Sequence, residues 1–220
     1  MQFPHGPVTN KLVIINLVIA AVLLVPSWWN HAVMAGGFFP IRFSNVAVAF
    51  PDVGFLVPTY LTPLSAAFLH GGITHVLMNM LTLLLIGKMV ERVLGGRLYL
   101  SVYFLSAYAA SATEWLATFM ALPLSIDMMA PAIGASGAIS GVIGVYALLF
   151  PNNKPKAWGP IPAAYARPFH LTLAWVGLNL ALGFVGPGIG VAIAIWSHIG
   201  GFVAGLLLAR PMLLWRYRTA

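Results

Sequence analysis

The chain lacks cysteine altogether and carries few charged residues. None of its 220 residues is cysteine, 7% are charged and 60% are hydrophobic. Without cysteine the chain can form no disulfide, no thiolate nucleophile and no cysteine metal site. Soluble globular domains normally carry about 25% charged residues. A charge content this low predicts a protein whose solvent is a lipid bilayer.

Acidic residues are especially scarce. The chain has four, Asp52, Glu91, Glu114 and Asp127, against eleven basic residues, for a net charge of +7. An excess of this size is sometimes the mark of a nucleic-acid-binding protein. Here no basic run or aromatic platform accompanies it, so we expect no nucleic-acid partner. Basic residues that flank membrane helices on the cytoplasmic side explain the excess better.

Six apolar segments qualify, or nearly qualify, as membrane helices. A helix that crosses a bilayer needs about 20 mostly apolar residues. No internal repeat or second domain interrupts the series, which predicts an all-α polytopic membrane protein with six transmembrane helices in one domain, residues 1–220. The segments run roughly from Leu12 to Trp29, Ile73 to Val90, Leu98 to Met120, Ser136 to Phe150, Phe169 to Phe184 and Val191 to Met212.

The first segment also resembles a signal peptide in part. Lys11 precedes its apolar run, and small residues follow near Ala35. The run is long, however, and ends in Trp28 and Trp29, which suit an interfacial anchor. We therefore expect a retained first helix.

The basic residues predict the topology. If the chain starts in the cytoplasm and alternates sides, only Arg42 falls outside, in a long connection from Asn30 to Gly72. We expect part of this connection to lie in the membrane interface or to pack on the bundle. Basic residues concentrate in cytoplasmic loops, so both termini are expected in the cytoplasm, and a bacterial inner membrane suits the short basic loops. The residues assigned inside are Lys11, Lys88, Arg92, Arg97, Lys154, Lys156, Arg167, Arg210, Arg216 and Arg218.

Polar side chains in the even-numbered segments reach one depth. At about 1.5 Å per residue, Ser136, His198 and His75 lie about 22, 18 and 20 Å above the cytoplasmic border, and Asn79 lies one turn below His75. The fourth segment is too short to span a core of about 30 Å, so the stretch before it is expected to enter the membrane as a loop beside a water-filled cavity. Polar groups at such depth are costly and usually functional.

Two G-x-x-x-G pairs predict which helices touch. Gly137 and Gly141 lie on the fourth segment, and Gly201 and Gly205 on the sixth. Such pairs let helix backbones approach closely, which would bring the hydroxyl of Ser136 within hydrogen-bond reach of a histidine on the sixth segment.

These groups predict serine hydrolase chemistry. A serine hydroxyl needs a base to take its proton, and His198 can act as that base and then as an acid. No carboxylate is placed to complete a triad, so we expect a Ser136–His198 dyad. The oxyanion of the tetrahedral intermediate could be bound by the backbone N–H of Ser136 and by the side chains of His75 and Asn79.

Three motifs resemble the signature motifs of the rhomboid proteases. The similarity covers roughly Tyr60 to Arg210 and implies a six-helix rhomboid-type bundle, cleavage of single-span membrane proteins, and no cofactor or metal. It implies the nucleophile, base and oxyanion roles given above, and structural places near the site for His70 and for Gly134, Gly137, Gly201 and Gly205. The motifs are His70-Gly-Gly-Ile-Thr-His75-Val-Leu-Met-Asn79, Gly134-Ala-Ser136-Gly137 and His198-Ile-Gly-Gly201-Phe-Val-Ala-Gly205.

The chain departs from the family pattern at two places. Leu61 and Thr62 stand where many members carry a Trp-Arg pair, and Ser140 stands where many carry a tyrosine packed on the catalytic histidine. Tyr146 lies too deep to substitute. Glu91 falls where the family often has a buried acidic residue.

Other functions remain as alternatives. A catalytically silent rhomboid-like module that binds membrane proteins usually lacks the serine, the histidine or both, whereas this chain has Ser136 and His198. A small transporter would predict two related halves, and none is visible. A zinc protease needs H-E-x-x-H, but no Glu follows His75. An aspartyl protease needs two aspartates at depth, and both Asp52 and Asp127 fall in outer loops.

Overall fold

The computed structural model describes residues 5–44, 53–150, 157–186 and 193–218. Within these ranges the chain is helical, with only isolated β-bridges between extended residues, as predicted for an all-α protein. A π-helical stretch, Leu83–Gly87, joins the helices Ile73–Thr82 and Lys88–Leu94. The helices are α1 (Pro7–Val22), α2 (Pro26–Gly36), α3 (Thr62–Ala66), α4 (Ile73–Thr82), α5 (Lys88–Leu94), α6 (Gly96–Phe119), α7 (Ser136–Leu149), α8 (Ala163–Val185) and α9 (Ile195–Arg216).

The first apolar segment forms two helices, so the prediction of one helix from Leu12 to Trp29 is wrong. α1 ends at Val22 and α2 begins at Pro26. Proline disfavours a helical conformation in the residue before it, and Val25 is extended, with φ −76° and ψ 117°. Trp29 consequently belongs to α2, where its indole N–H donates to the carbonyl oxygen of His70 at 2.8 Å.

The other apolar segments form helices close to their predicted ranges. Among the described residues, three stretches are long and apolar enough to cross a bilayer: Ile73–Leu94, Pro168–Val185 and Ile195–Arg216. The helices Pro7–Val22 and Ser136–Leu149 are apolar but shorter. The number of six crossings therefore stays a prediction.

Some sequence predictions lie outside the described residues. They concern Asp52, the loop cations Lys154 and Lys156, and Val191 as the start of the sixth segment. The side chain of Arg167 is likewise outside the description.

α7 packs against both α6 and α9, and these two helices also contact each other. The glycine pairs let α7 and α9 approach until their backbones touch: a β-carbon on Gly201 would collide with the carbonyl oxygen of Gly137, and one on Gly205 with that of Gly141. Tyr103 of α6 and Val142 of α7 are both fully buried and belong to one hydrophobic core. This packing fixes the start of α7 against the start of α9.

A buried carboxylate ties α1 to the bundle. Glu91 of α5 accepts hydrogen bonds from the backbone N–H of Val8 and of Thr9, at 2.9 and 2.8 Å, and from the Thr9 hydroxyl at 2.8 Å. A negative group is favourable at a helix N-terminus, where the N–H groups have no partner in the helix. The position of α1 is thus set by a contact between distant parts of the chain.

The long connection before α4 packs partly on the loop that precedes α7. Phe38 pairs with Ala132 through an isolated β-bridge, and the N–H of Ile41 donates to the carbonyl oxygen of Met128 at 3.0 Å. Phe38 and Phe39 are buried. The two irregular stretches therefore satisfy part of each other's backbone.

Candidate active site

Ser136 is placed by a turn that only glycine adopts easily. Gly134 has φ +119°, a conformation that side chains disfavour, and its N–H donates to the carbonyl oxygen of Ala66 at 2.9 Å. The chain then enters α7, whose first residue is Ser136. The first N–H groups of a helix have no partner within it, so the backbone N–H of Ser136 is available to bind a negative oxygen.

His198 of α9 contacts the Ser136 hydroxyl. The distance between its Nε2 and the serine Oγ is 2.8 Å, which is a normal hydrogen-bond length. The two residues are 62 positions apart in the chain and meet because the glycine pairs bring α7 onto α9. The structure therefore brings together the two side chains expected to form the dyad.

The other ring nitrogen of His198 faces α8. Its Nδ1 lies 2.7 Å from the side-chain oxygen of Asn179. The backbone carbonyl oxygen of His198 accepts a hydrogen bond from the indole N–H of Trp175, at 3.3 Å. The sequence analysis missed both α8 residues. The available signal was Asn179 itself, an amide in the middle of an apolar segment, where polar side chains are costly.

Glu114 holds the start of α9. This fully buried carboxylate accepts the N–H of Ser197 at 2.8 Å and the N–H of Ile126 at 3.2 Å. The sequence analysis gave Glu114 no role. The structure places it against the residue before His198, where a negative charge also suits the helix N-terminus.

Two side-chain donors converge beside Gly134. A β-carbon on Gly134 would lie 2.7 Å from Nε2 of His75 and 3.6 Å from Nδ2 of Asn79. Nδ1 of His75 accepts the N–H of Gly71 at 3.3 Å, so in the neutral ring Nε2 carries the proton and is a donor. The Asn79 amide nitrogen is buried and reaches no acceptor in the described part of the chain. Both donors therefore lie beside Gly134, which precedes Ser136 by two residues in the chain.

His70 supports the turn before the serine. Its Nε2 accepts the N–H of Ala135 at a long 3.5 Å, and its ring meets the ring of His75 edge-on, with centroids 5.1 Å apart. The structure thus places His70 beside the site.

A small cavity opens next to the serine. Its volume is about 40 Å³ and it lies between α3, α6, α7 and the start of α9. Small residues line it, so it has room for a few waters or one small side chain. The lining includes Ala66, Ala110, Gly134, Ser136, Gly137 and Ser197.

The residues at the family departures have local partners. The Ser140 hydroxyl donates to the carbonyl oxygen of Ser136 at 2.8 Å, one turn back along α7. The Thr62 hydroxyl donates to the carbonyl oxygen of Thr59 at 2.7 Å. Within the described ranges, no three metal-ligating side chains cluster.

Comparison with known proteins places the chain in a family. The model of the Rhomboid domain matches residues 58–215. RHOMBOID-like protein 4 of Arabidopsis thaliana is 36% identical over 152 residues, which cover 69% of this chain and 34% of the relative. Rhomboid protein 1, mitochondrial, of Saccharomyces cerevisiae is 30% identical over 153 residues, 69% of this chain and 41% of the relative.

A bacterial relative matches the same part of the chain. The Rhomboid protease GluP of Bacillus subtilis is 32% identical over 151 residues, 69% of this chain and 26% of that protein. The matched region thus spans a quarter to two fifths of these three relatives. Together, the domain match, the relatives and the apolar helices show that this chain is an integral membrane protein of the rhomboid family.

Proposed function

We propose that this protein is an intramembrane serine endopeptidase that cleaves the transmembrane segments of single-span membrane proteins. Ser136 is the nucleophile and His198 the general base of a catalytic dyad. The observation that carries the proposal is the 2.8 Å contact between the serine Oγ and Nε2 of the histidine. The relative GluP is named a rhomboid protease, which supports the same reading.

The dyad supplies both proton transfers of peptide hydrolysis. As Oγ of Ser136 attacks the scissile carbonyl carbon, its proton passes to Nε2 of His198. The imidazolium then gives this proton to the leaving amine nitrogen, the C–N bond breaks, and an acyl ester remains on the serine. A water molecule, deprotonated by the same Nε2, attacks the ester; the bond between the acyl carbon and Oγ breaks, Nε2 returns the proton to Oγ of Ser136, and the new carboxyl end is released.

The oxyanion of each tetrahedral intermediate is held by donors fixed in advance. They are the backbone N–H of Ser136, Nε2–H of His75 and the amide of Asn79. Fixed donors stabilise a charge that develops in the transition state without reorganising as it forms. The unpartnered amide nitrogen of Asn79 supports this role, because a buried donor without an acceptor costs stability.

The proposal includes the membrane topology. α1, α4 with α5, α6, α7, α8 and α9 form six membrane-crossing elements of one domain, residues 1–220, with both termini in the cytoplasm of a bacterial inner membrane. The concentration of basic residues in alternate connections supports it. The small cavity beside Ser136 favours small residues at the cleaved bond.

A catalytically silent binding module is the alternative. Such a protein needs no serine hydroxyl aligned with an imidazole, whereas this chain keeps the aligned pair. We therefore favour the protease.

Cleavage of a generic single-span substrate in liposomes tests the proposal. Wild type is compared with Ser136→Ala, His198→Ala and, as a matched control one turn along α7, Ser140→Ala. We expect cleavage by wild type and by the control, and none by the first two variants. A wild type that equals Ser136→Ala on several substrates would instead support the binding module.

A further inference from the structure

The amide of Asn179 has only one orientation that satisfies both of its ends. The side chain is 1% exposed. Its nitrogen donates to the carbonyl oxygen of Trp175 at 2.8 Å, one turn back along α8. A carbonyl oxygen cannot donate, so it is the amide oxygen of Asn179 that faces His198.

This orientation fixes the tautomer of His198. An amide oxygen only accepts hydrogen bonds, so the ring nitrogen 2.7 Å away, Nδ1, must carry the proton. A neutral imidazole has one proton on its two nitrogens. Nε2 is then left with a free lone pair directed at the Ser136 hydroxyl, as a general base requires.

α8 holds both the ring and the backbone of the histidine. Trp175 donates to the carbonyl oxygen of His198 and stacks on Phe202, one turn further along α9, with ring centroids 5.4 Å apart and planes 16° from parallel. The two α8 residues are one helical turn apart and lie on one face. Rotation of the His198 ring away from Ser136 would break the hydrogen bond to Asn179.

We infer that Asn179 is a positioning residue that converts the dyad into a Ser136–His198–Asn179 triad with a neutral third member. The inference rests on the proposed function. The amide oxygen holds the productive tautomer and stabilises the N–H at Nδ1 when the ring becomes an imidazolium, because hydrogen bonds from charged donors are stronger. An uncharged amide does this without placing a carboxylate at membrane depth, where a charge is costly.

The test compares Asn179→Ala and Asn179→Asp with a control on the neighbouring residue, Leu178→Ala, whose side chain is exposed. We expect kcat of Asn179→Ala to fall about 10- to 100-fold, a part of the roughly 10²- to 10⁴-fold that acid–base catalysis supplies. KM should not change. Asn179→Asp, which keeps an acceptor oxygen, should retain more activity than Asn179→Ala, and the control should match wild type.

Nitrogen NMR of the His198 ring separates positioning from a structural role. We expect one tautomer, protonated at Nδ1, in wild type and a mixture of tautomers in Asn179→Ala. Equal kcat and an unchanged ring spectrum in Asn179→Ala would overturn the inference. A wild type that cleaves no substrate but shows the single tautomer would overturn the proposed function and leave the hydrogen bond in place.

A second, independent observation lies at the other end of the bundle. A cavity of about 510 Å³ opens between the α5–α6 junction and the end of α9. Three arginines line it, and Gly95, with φ +76°, forms part of its wall. A β-carbon on Gly95 would lie 3.6 Å from Cζ of Arg216. The polar lining consists of Arg97, Arg216 and Arg218.

The positive charge in this cavity exceeds the negative charge that the described residues place near it: the one nearby carboxylate is that of Glu91, whose Oε1 lies 3.9 Å from where a β-carbon on Gly96 would stand, against three arginines. Of the described acidic residues, Glu91 is bonded to the start of α1, Glu114 to the start of α9, and Asp127 to the N–H of Met129. Arg97 also lies in the first turn of α6, where the helix dipole disfavours a cation. A bound anion would relieve both effects.

An exposed tryptophan in its wall favours a position for the cavity at the surface of a bilayer. Trp215 is 62% exposed and also lines the cavity, and the guanidinium of Arg218 lies 4.6 Å from the centre of its ring. Tryptophan is enriched at the level of the lipid headgroups. We propose that the cavity binds the phosphate group of an anionic phospholipid, through the paired N–H groups that guanidinium offers to phosphate.

Retention of lipid, measured by native mass spectrometry, tests this site without reference to activity. The double variant Arg216→Ala/Arg218→Ala is compared with Arg92→Ala/Arg210→Ala, which removes the same charge from exposed positions outside the cavity. Each is purified from vesicles of phosphatidylcholine with phosphatidylglycerol. We expect wild type and the control to retain phosphatidylglycerol and the cavity variant to lose it.

Two further measurements identify the source of the phosphate group. Phosphatidylcholine vesicles should give no retained lipid, and inorganic phosphate should not raise the Tm of the delipidated protein. Equal retention by the two double variants would overturn the proposal. If inorganic phosphate raises the Tm as much as phosphatidylglycerol does, the site binds free phosphate and the proposal of a lipid ligand is overturned.

Discussion

Asn79 carries a buried donor without an acceptor in the described part of the chain, and the proposed function gives it the oxyanion as its partner. Its amide nitrogen has no acceptor in the described part of the chain, so deletion of the side chain breaks no hydrogen bond of that nitrogen in the resting protein. We predict that Asn79→Ala lowers kcat about 10²- to 10³-fold, as for other oxyanion donors, without lowering the Tm. Cleavage kinetics and thermal unfolding in the same detergent check this, and a large fall in Tm would contradict it.

Glu114 is the opposite case, because both of its oxygens have partners at rest. Glu114→Ala leaves the N–H groups of Ser197 and Ile126 without an acceptor, and an unsatisfied buried group costs about 1–3 kcal/mol. We predict a destabilisation of about 2–4 kcal/mol, with Glu114→Gln less affected because it keeps one acceptor oxygen. The measurement is denaturant unfolding in mixed micelles, and equal stabilities of the two variants would contradict the prediction.

At the scale of helices, the contact between α7 and α9 decides whether the reactive pair exists. A β-carbon on Gly205 would collide with the backbone of Gly141, whereas one on Gly177 of α8 would meet nothing within 4 Å. We predict that Gly205→Ala lowers the free energy of unfolding by about 1–3 kcal/mol and reduces the cleavage activity. Gly177→Ala, the same chemical change, should raise the free energy of unfolding by about 0.5–1 kcal/mol, because alanine is favoured over glycine inside a helix.

Thermal unfolding and cleavage rates of the two glycine variants provide the check. If both variants behave alike, the close approach of the helices is not what places His198 against Ser136.

The whole molecule has an orientation that its lack of cysteine makes easy to test. Single cysteines at exposed positions, Leu56→Cys in the long connection and Arg92→Cys in α5, become the sole thiols of the chain. We predict that a membrane-impermeant maleimide labels Leu56→Cys in intact cells and Arg92→Cys only after permeabilisation. The reverse pattern would contradict the topology proposed from the basic residues.

Much of the molecule follows from local features of the sequence. The low charge content and the apolar runs predict membrane helices, because a bilayer has no water to solvate charges or free backbone groups. The family resemblance is confirmed by the domain match, since three short motifs with fixed order and spacing identify it. Even the break after α1, which the sequence analysis missed, has a local cause in Pro26.

Contacts between distant residues could be settled only in three dimensions. In the sequence, Asn179 is an amide within an apolar run. The packing of α8 on α9 is what brings its side-chain oxygen to 2.7 Å from Nδ1 of His198. Glu114 is 83 positions from Ser197, whose N–H it accepts. Sequence patterns record the face and depth of a residue, but not which partner on another helix satisfies its polar atoms. The sequence by itself therefore determined the membrane environment, the family and most of the helices, and it predicted the pair of Ser136 and His198, whereas the tertiary structure decided which residues contact and orient that pair.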